Sequence, residues 1–414
     1  MKNIKLTSKL RDDFPILKRE INGYPLAYLD NSSTTQKPQS VIDAIVSFYE
    51  NHNSNVSRGV YTLAEEATEI YESGRISVAS FIGAGRSDEI IFTGGTTDSI
   101  NLVAYGWAKN RLKVGSQIIV TEMEHHSNLV PWQLIAQSSG AELVYWAKNP
   151  EGRLDLEDLL ELLNSSVTLL AITAVSNVLG TINVINEIVK VSHENNVPVL
   201  VDAAQAVARI PINVSEWDCD FLAFSGHKVY GPNGIGVLYV RKDRIGEMLP
   251  IKGGGGMISY VGKQNSKWAI APQKFEAGTP AIAEVYGLTK ALEYLEKLGI
   301  AQIQKHEEVL TSYALKRFSE FEELELYGPQ GILDRAGVLS FNLGNLHAHD
   351  VAQVLDEYGF AVRAGHHCTQ VLHKVLGIVA SVRISFGIYN QKFEIDSLIN
   401  ALEKTREIFY FRKK

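Results

Sequence analysis

Residues 222–232 read LAFSGHKVYGP, and this stretch places a lysine where a buried strand ends. The apolar residues 221–224 predict an interior strand, and Lys228 follows them within four residues. A buried ammonium group is unstable unless it is paired or neutralised. A lone lysine in such a place usually extends its charged end to solvent. Evidence from the rest of the sequence is needed to distinguish a solvent-exposed lysine from a functional one.

Around this stretch, strand-like apolar runs alternate with segments of helical periodicity. The predicted strands cover residues 89–93, 117–121, 142–146, 168–175, 198–202, 221–224 and 236–240. The predicted helices between them include residues 96–110, 128–138, 156–163 and 185–195. This alternation predicts an α/β fold with a mostly parallel sheet and helices on both faces. Ligands of such sheets bind at the carboxyl ends of the strands.

The pattern changes after about residue 281, where longer helices and short strands predict a second unit. The helices are expected at residues 283–297, 302–321, 350–358 and 395–411, and the strands at 338–343 and 382–388. A chain of 414 residues is long enough to divide into two domains. We predict a large domain over residues 28–282 and a small C-terminal α/β domain over 283–414. Residues 1–27 are expected to pack with the small domain.

Composition narrows the class of protein. Hydrophobic residues make up 45% of the chain and charged residues 21%, as in globular proteins. The net charge of −7 argues against binding to nucleic acid. No apolar segment reaches membrane-spanning length, and the N-terminus has no signal-peptide core. The two cysteines, Cys219 and Cys368, are too few for a disulfide framework and indicate a cytoplasmic location.

Polar side chains follow several predicted strands. Residues 92–97, FTGGTT, place Thr96 and Thr97 at the start of a helix after a glycine turn, which favours a phosphate. An ordinary threonine cap explains that stretch equally well. Asp202 ends the strand PVLVD, and His125 follows the strand at 117–121. The spacing of histidines and cysteines does not match a metal site.

Together these residues supply a phosphate cradle, a carboxylate, a stacking ring and an amine at one edge of the sheet. Pyridoxal 5'-phosphate requires this combination. Lys228 is then interior because it forms an imine with the cofactor and carries no bare charge.

The chain resembles the aminotransferase class V group of fold-type I pyridoxal-phosphate enzymes. The order of GGTT, EMEHHSN, VDAAQ and SGHK carries this resemblance. The stretch RAGHHC, residues 363–368, is similar to the active-site cysteine loop of SufS-type (group II) cysteine desulfurases. Further matches are YLDN (28–31), QKP (36–38), FEAGTP (275–280) and VRIS (382–385). The resemblance extends over nearly the whole chain.

The resemblance implies a role for each matching residue. It implies cofactor binding by Thr96, Thr97, His125, Asp202, Gln205, Ser225, His227 and Lys228. Thr279 is expected to reach across from the second subunit of a homodimer. Asn177, Arg363 and Arg383 are expected to orient the substrate, with Arg383 binding its carboxylate. Lys228 acts as general base, His125 stacks on the cofactor ring, and Cys368 accepts the sulfur.

The implied function is a cysteine desulfurase that converts L-cysteine to L-alanine and leaves a persulfide on Cys368. Iron–sulfur cluster assembly is the destination of the sulfur that the resemblance implies. Selenocysteine lyase, kynureninase and aminotransferase are alternative activities, and a non-catalytic scaffold is an alternative class. Kynureninase, aminotransferase and the scaffold have no need for both Lys228 and Cys368.

His349, in the stretch LHAHD, bears on the sulfur acceptor. We expect it on the loop ahead of the helix at 350–358. A solvated turn histidine is one interpretation. The resemblance implies another, in which His349 replaces a thiolate ligand on the zinc of a SufU-type acceptor. SufU-type is therefore favoured over SufE-type, which is metal-free.

Four residues depart from the family's pattern, namely Ser57, Tyr61, Asp98 and Ala281. They leave the finer substrate pocket and the dimer contacts open.

Overall fold

The computed structural model describes residues 8–57 and 59–411. The predicted N-terminal segment therefore lies partly outside the described residues, which begin at Ser8. Thirteen α-helices are found in the described part of the chain: α1 (Gln39–Ser47), α2 (Thr62–Phe81), α3 (Thr96–Val103), α4 (Val130–Ser139), α5 (Leu156–Leu162), α6 (Ile185–Glu194), α7 (Val214–Trp217), α8 (Lys242–Ile245), α9 (Ile282–Leu298), α10 (Ile300–Ser319), α11 (Ala348–Glu357), α12 (Gln370–Val375) and α13 (Lys392–Phe411).

Seventeen strands accompany these helices in the same described ranges: β1 (Glu20–Ile21), β2 (Tyr24–Pro25), β3 (Ala27–Tyr28), β4 (Ile90–Thr93), β5 (Gln117–Thr121), β6 (Glu142–Trp146), β7 (Val167–Thr173), β8 (Val199–Asp202), β9 (Phe221–Ser225), β10 (Gly236–Val240), β11 (Ile258–Val261), β12 (Ser266–Trp268), β13 (Leu324–Tyr327), β14 (Val338–Leu343), β15 (Phe360–Ala361), β16 (Arg363–Gly365) and β17 (Ser381–Ser385).

A seven-stranded sheet forms the centre of the larger part, in the order β4-β10-β9-β8-β7-β5-β6. Strand β10 pairs antiparallel with both of its neighbours, and the other pairs are parallel. The exception follows from chain length, because only ten residues connect β9 to β10. A parallel crossover needs a longer connection, usually with a helix. The prediction of a mostly parallel sheet in an α/β fold is confirmed.

The sheet is buried on both faces. Along β7, Leu169 and Ala171 pack in one apolar cluster, whereas Leu170 and Ile172 pack in another on the opposite face. This alternation is the period of two that a strand imposes on its side chains. Both sets are apolar because helices cover both faces, so strand sequences of this kind show continuous apolar runs.

A second, four-stranded antiparallel sheet in the order β13-β14-β17-β16 organises the C-terminal part. Helices α10, α11 and α13 pack against it around residues such as Leu310, Phe341 and Leu398. Strand β3 pairs with β15 of this part, and Leu29 enters its core. Phe14 lies among the rings of Tyr230, Tyr294 and Tyr389, between the two parts. The domain bounds themselves stay a prediction.

Within the described residues, no helix is both long and apolar enough to cross a membrane.

Candidate active site

A cavity of about 210 Å³ opens at the carboxyl ends of the parallel strands. It is lined by Ser32, Ser33, Thr96, Thr97, His125, Ser127, Thr173, Asn177, Asp202, Ala204, Gln205, Ser225, His227, Lys228, Arg363, His367, Cys368 and Arg383. All predicted site residues except Thr279 and His349 are therefore brought together. The order of the sheet explains why, since β4, β5, β7, β8 and β9 run in one direction and end at one edge.

Lys228 and Asp202 both line this cavity and influence each other's charge. Asp202 ends β8 and is 4% exposed, and its Oδ1 accepts a hydrogen bond from the Ala204 amide (2.9 Å). Burial raises the pKa of the Asp202 carboxyl, although Lys228 and that amide oppose the rise. Burial lowers the pKa of the Lys228 ammonium, against the attraction of Asp202. The site therefore favours an amine that loses its proton easily and a carboxylate that needs a cationic partner.

The start of α3 forms an anion cradle with the end of β9. Thr96 donates its amide to Ser225 Oγ (2.8 Å), and the two hydroxyls lie 2.7 Å apart. Gly95 has a φ of 152° and directly precedes the helix. A Cβ on Gly236, at the start of β10, would lie 2.3 Å from Gly95 Cα. Glycine at both positions is thus required for β10 to approach the helix N-terminus, where amides and hydroxyls favour a phosphate.

His125 presents a neutral imidazole to the cavity. Its Nδ1 accepts a hydrogen bond from the Ser127 amide (3.1 Å), so the neutral ring carries its proton on Nε2. Burial, followed by the charge of Lys228, lowers the pKa of His125 to about 3. Thr97 and Ser127 join their hydroxyls at 2.7 Å beside it. The ring is therefore uncharged and fixed, as a stacking surface requires.

Arg383 is a buried cation, and hydrogen bonds within the described residues use three of its five N–H groups. Its Nη2 donates to Asp30 Oδ1 (3.0 Å) and Ser33 Oγ (2.7 Å), and its Nη1 donates to the Asn177 carbonyl (3.0 Å). Its Nε is buried and has no hydrogen-bond partner among the described residues. Arg363 also donates to Ser33. This arrangement leaves directed N–H capacity for a carboxylate from a ligand.

Cys368 also lines the cavity, from the loop between β16 and α12, and it is exposed. The side-chain Nδ2 of Asn177 donates to the His367 carbonyl (2.8 Å), and the backbone amide of His126 donates to the Cys368 carbonyl (2.7 Å). The other cysteine, Cys219, is fully buried before β9 and does not line the cavity.

Gln205 is also fixed in place, because its Nε2 donates to the Ser32 carbonyl (2.6 Å). His227 lines the cavity, and its carbonyl accepts from the Thr35 amide (3.0 Å) and from Lys37 Nζ (3.1 Å). Burial lowers the pKa of His227 to about 4, so its ring is neutral as well.

Thr279 does not line the cavity of its own chain. It lines a separate cavity with Ser57 and Gly255, and Asn55 donates to its hydroxyl at 3.5 Å.

Two of the departures from the family pattern have local roles. Asp98 accepts from the Gly94 amide (3.0 Å) and pairs with Lys252, whereas Tyr61 bonds Ser54 (2.9 Å). Ala281 directly precedes α9.

The predicted position of His349 on the loop ahead of the helix is wrong, because the helix begins two residues earlier than predicted. Helix α11 begins at Ala348 with His347 as its cap, so His349 lies inside the first turn and not on the preceding loop. The helix starts early because His347 Nδ1 accepts the His349 amide (3.3 Å), which an asparagine or serine cap would otherwise do. His349 is exposed, and its ring stacks on His347 with centroids 5.1 Å apart.

Sequence reasoning did not single out six lining residues: Ser32, Ser33, Ser127, Thr173, Ala204 and His367. Most of them lie next to residues that were named, at the same strand ends. Their proximity in sequence to Asn31, His126 and Asp202 was therefore the signal that could have predicted most of them.

Comparison with known proteins decides the family. The aminotransferase class-V model matches residues 27–398. A cysteine desulfurase of Haloferax volcanii is 47% identical over 413 residues, with 97% of each chain covered. A probable cysteine desulfurase of Halalkalibacterium halodurans is 49% identical, covering 96% of this chain and 97% of its own. The chain belongs to the aminotransferase class-V family.

Solved structures agree with this family. The apo cysteine desulfurase from Thermococcus onnurineus NA1 superposes with a TM-score of 0.93 at 39% identity, over 98% of this chain and 99% of its own. The cysteine desulfurase CsdA from Escherichia coli gives 0.90 at 37%, over 97% and 98%. The predicted family, fold and enzyme class, cysteine desulfurase, are confirmed.

The cavity fits the cofactor of this family. Pyridoxal 5'-phosphate needs an anion site, an anionic partner for its ring nitrogen, a flat neighbour and an amine. The α3 cradle, the buried Asp202, the neutral His125 and the half-buried Lys228 supply these in one cavity. The prediction of pyridoxal 5'-phosphate is confirmed by the family match.

Proposed function

We propose that this chain converts L-cysteine to L-alanine and retains the sulfur as a persulfide on Cys368. The observation that carries the proposal is a single cavity that holds the Lys228 amine, the Arg383 guanidinium and the exposed thiol of Cys368. An aminotransferase needs the first two groups, whereas only sulfur transfer uses the third. The relatives named cysteine desulfurase support the same conclusion.

Substrate binding depends on the attraction between a buried arginine and the carboxylate of the amino acid. The buried Arg383 guanidinium lines the cavity, and its Nη1 has one N–H beyond the one given to the Asn177 carbonyl, which would bind the α-carboxylate of the amino acid. Asp30 and Ser33 hold the guanidinium plane through Nη2, so the cation is oriented before the substrate arrives. Arg363, nearer the opening, shares Ser33 and adds a second positive charge.

Proton transfer belongs to Lys228. Burial lowers the pKa of its ammonium, so the neutral amine is accessible and Nζ accepts the proton from the substrate α-carbon. Asp202 stays ionised when a cation lies beside it, and it would hold the ring nitrogen of the cofactor protonated. When bound, pyridoxal phosphate supplies an electron-accepting ring to the substrate α-carbon.

Sulfur transfer belongs to Cys368. Its thiolate attacks the substrate sulfur, and an S–S bond forms while the carbon–sulfur bond breaks. The electron pair of the broken bond stays with the substrate carbon, which is protonated to yield alanine. The balance is one L-cysteine plus one protein thiol giving one L-alanine plus one protein persulfide. No external oxidant is required.

The test is a single turnover of the purified protein with L-cysteine. We expect one alanine per chain and a mass increase of one sulfur on the peptide containing Cys368. Cys368→Ser should bind L-cysteine yet form no persulfide, and Cys219→Ala serves as the matched control because Cys219 is the other cysteine of the chain. Normal alanine and persulfide from Cys368→Ser would refute the proposal.

We further propose that the protein works as a homodimer. Exposed apolar side chains occur on two segments, with Val60 at 95% exposure and Ile270 at 85%. Near them in sequence, segments 55–57 and 255–256 line one cavity together with Thr279. Exposed apolar area of this kind is typical of an interface with a second copy.

A hybrid of two inactive chains tests this arrangement. In a mixture of Lys228→Ala and Thr279→Ala chains, a heterodimer has one site with both Lys228 and the partner's intact threonine. We expect activity to return on mixing after reversible dissociation. A monomer in sedimentation with full activity, or no recovery, contradicts the proposal.

For the downstream role we propose sulfur supply to iron–sulfur cluster assembly in the cytoplasm, through a SufU-type zinc acceptor. The support is the exposed imidazole of His349 on α11. Neutral imidazole is an effective zinc ligand that can take the place of a thiolate.

The comparison measures acceptor-stimulated turnover for wild type, His349→Ala and the matched His347→Ala chain, with both acceptor types. We expect His349→Ala alone to lose stimulation by the zinc acceptor. Stimulation of the wild type only by a SufE-type acceptor would show that the proposed partner is wrong.

A further inference from the structure

The loop that carries Cys368 has an unusual backbone. His367 and Cys368 are consecutive residues with side chains, and both adopt left-handed conformations, with φ of 51° and 58°. Such a conformation is disfavoured for any residue other than glycine, and it persists only when surrounding contacts hold it. The contacts around this loop therefore determine where the thiol points.

Each carbonyl of this short stretch is bound by a separate donor. The His366 carbonyl accepts from the amide (2.9 Å) and hydroxyl (2.7 Å) of Thr369, inside the loop. The His367 carbonyl accepts from Asn177 Nδ2 (2.8 Å), and the Cys368 carbonyl accepts from the His126 amide (2.7 Å). The last two donors belong to segments after β7 and β5, so the large sheet holds the loop of the small unit.

His126 contacts the loop a second time through its side chain. Its Nε2 accepts a hydrogen bond from the Gln370 amide (3.1 Å), the first residue of α12. The first amides of a helix lack partners within that helix, so this one is available. Burial, followed by the charge of His366, lowers the pKa of His126, and the ring therefore remains an acceptor at neutral pH.

The same turn also reaches the cofactor end of the cavity. His125 and Ser127, the neighbours of His126, both line the cavity, and the Ser127 amide fixes the His125 ring. A displacement of this turn would move the stacking ring and the cysteine loop together.

We propose that His126 is a positioning residue that holds Cys368 in its left-handed conformation at the cavity, through the hydrogen bond from the Gln370 amide to its ring. The inference rests on the proposed sulfur transfer, since only that reaction needs the thiol at a fixed place. His126 touches neither the substrate site nor the cavity, and its effect is carried by the loop.

Two matched pairs of variants isolate this hydrogen bond. Gln370→Pro removes the amide proton, whereas Gln370→Ala keeps it, and both replace an exposed side chain. Proline is tolerated at the first position of a helix, so α12 is retained. On the other partner, His126→Phe removes the acceptor and keeps a ring, whereas His126→Gln restores an acceptor near the position of Nε2.

Two measurements are made on each holoenzyme. The first is the rate at which iodoacetamide alkylates Cys368 without substrate, read by peptide mass. The second is the single-turnover rate of persulfide formation, together with the KM for L-cysteine. We expect Gln370→Pro and His126→Phe to alkylate at least threefold faster and to form persulfide at least tenfold more slowly, with KM unchanged. A displacement of 1 Å can lower a rate by about 100-fold.

Gln370→Ala and His126→Gln are expected to stay within twofold of wild type in both measurements. The inference is overturned if Gln370→Pro matches Gln370→Ala, or if His126→Gln is as impaired as His126→Phe. Failure of the proposed function is distinguishable, because a wild-type protein that forms no persulfide still reports the position of Cys368 through its alkylation rate.

Discussion

Gly236→Ala tests whether the close approach of β10 builds the anion cradle. The added Cβ would lie 2.3 Å from Gly95 Cα, 2.6 Å from its carbonyl carbon and 2.7 Å from its nitrogen, and these atoms are all backbone. Ordinary contacts begin near 3.4 Å, so β10 or the Gly95 turn has to move by about 1 Å. No flexible side chain is available to absorb this shift.

The expected cost has two parts. Overpacking of this kind destabilises a fold by about 1–3 kcal/mol. Thr96, whose amide and hydroxyl form part of the cradle, directly follows Gly95, so a shift of Gly95 also moves the cradle. A misplacement of 1 Å can weaken function by about 100-fold. We therefore expect a lower melting temperature and a dissociation constant for pyridoxal phosphate raised by one to two orders of magnitude.

The assay is titration of the cofactor-free protein with pyridoxal phosphate, followed by absorbance, with thermal unfolding in parallel. Gly246→Ala is the control, because nothing lies within 4 Å of its Cβ position and its φ is negative. If Gly236→Ala binds the cofactor with the affinity of Gly246→Ala, the Gly95–Gly236 contact does not shape the cradle and the reasoning fails.

Three further outcomes follow from the site. Lys228→Ala should abolish turnover, and borohydride reduction should no longer leave cofactor mass on the peptide of residue 228; comparable desulfuration by this variant would remove Lys228 from its role. Arg383→Ala should raise the KM for L-cysteine by about 10–100-fold, because a charged hydrogen bond is lost; an unchanged KM would contradict substrate binding by Arg383. Burial lowers the pKa of His367 to about 2. When the pH is below 6.5, the ordinary pKa of histidine, residue 367 therefore binds a proton in the unfolded chain but not in the folded chain. Stability should therefore fall by about 1 kcal/mol between about pH 6.5 and 5.5 from this group, and His367→Gln should show a correspondingly flatter dependence in urea unfolding; equal slopes would refute it.

Local sequence patterns determined the elements of the large sheet. Predicted strands at 117–121, 142–146 and 236–240 coincide with β5, β6 and β10, because short apolar runs between turn residues have few other stable arrangements. The strand-end position of Asp202 followed in the same way. Sequence patterns are less reliable at helix ends: the helix predicted over 96–110 ends as α3 at Val103 and continues as a π-helical turn to Ala108.

The contacts between distant segments were decided only by the tertiary structure. No local pattern shows that Asn177 and His126 would bind the carbonyls of the cysteine loop, since 190 residues separate Asn177 from His367. The same holds for Asp30, which lies 353 residues from Arg383 and orients it. The left-handed backbone at Cys368 is also not predictable from the sequence, because long-range hydrogen bonds help to stabilise a conformation that its own side chain disfavours.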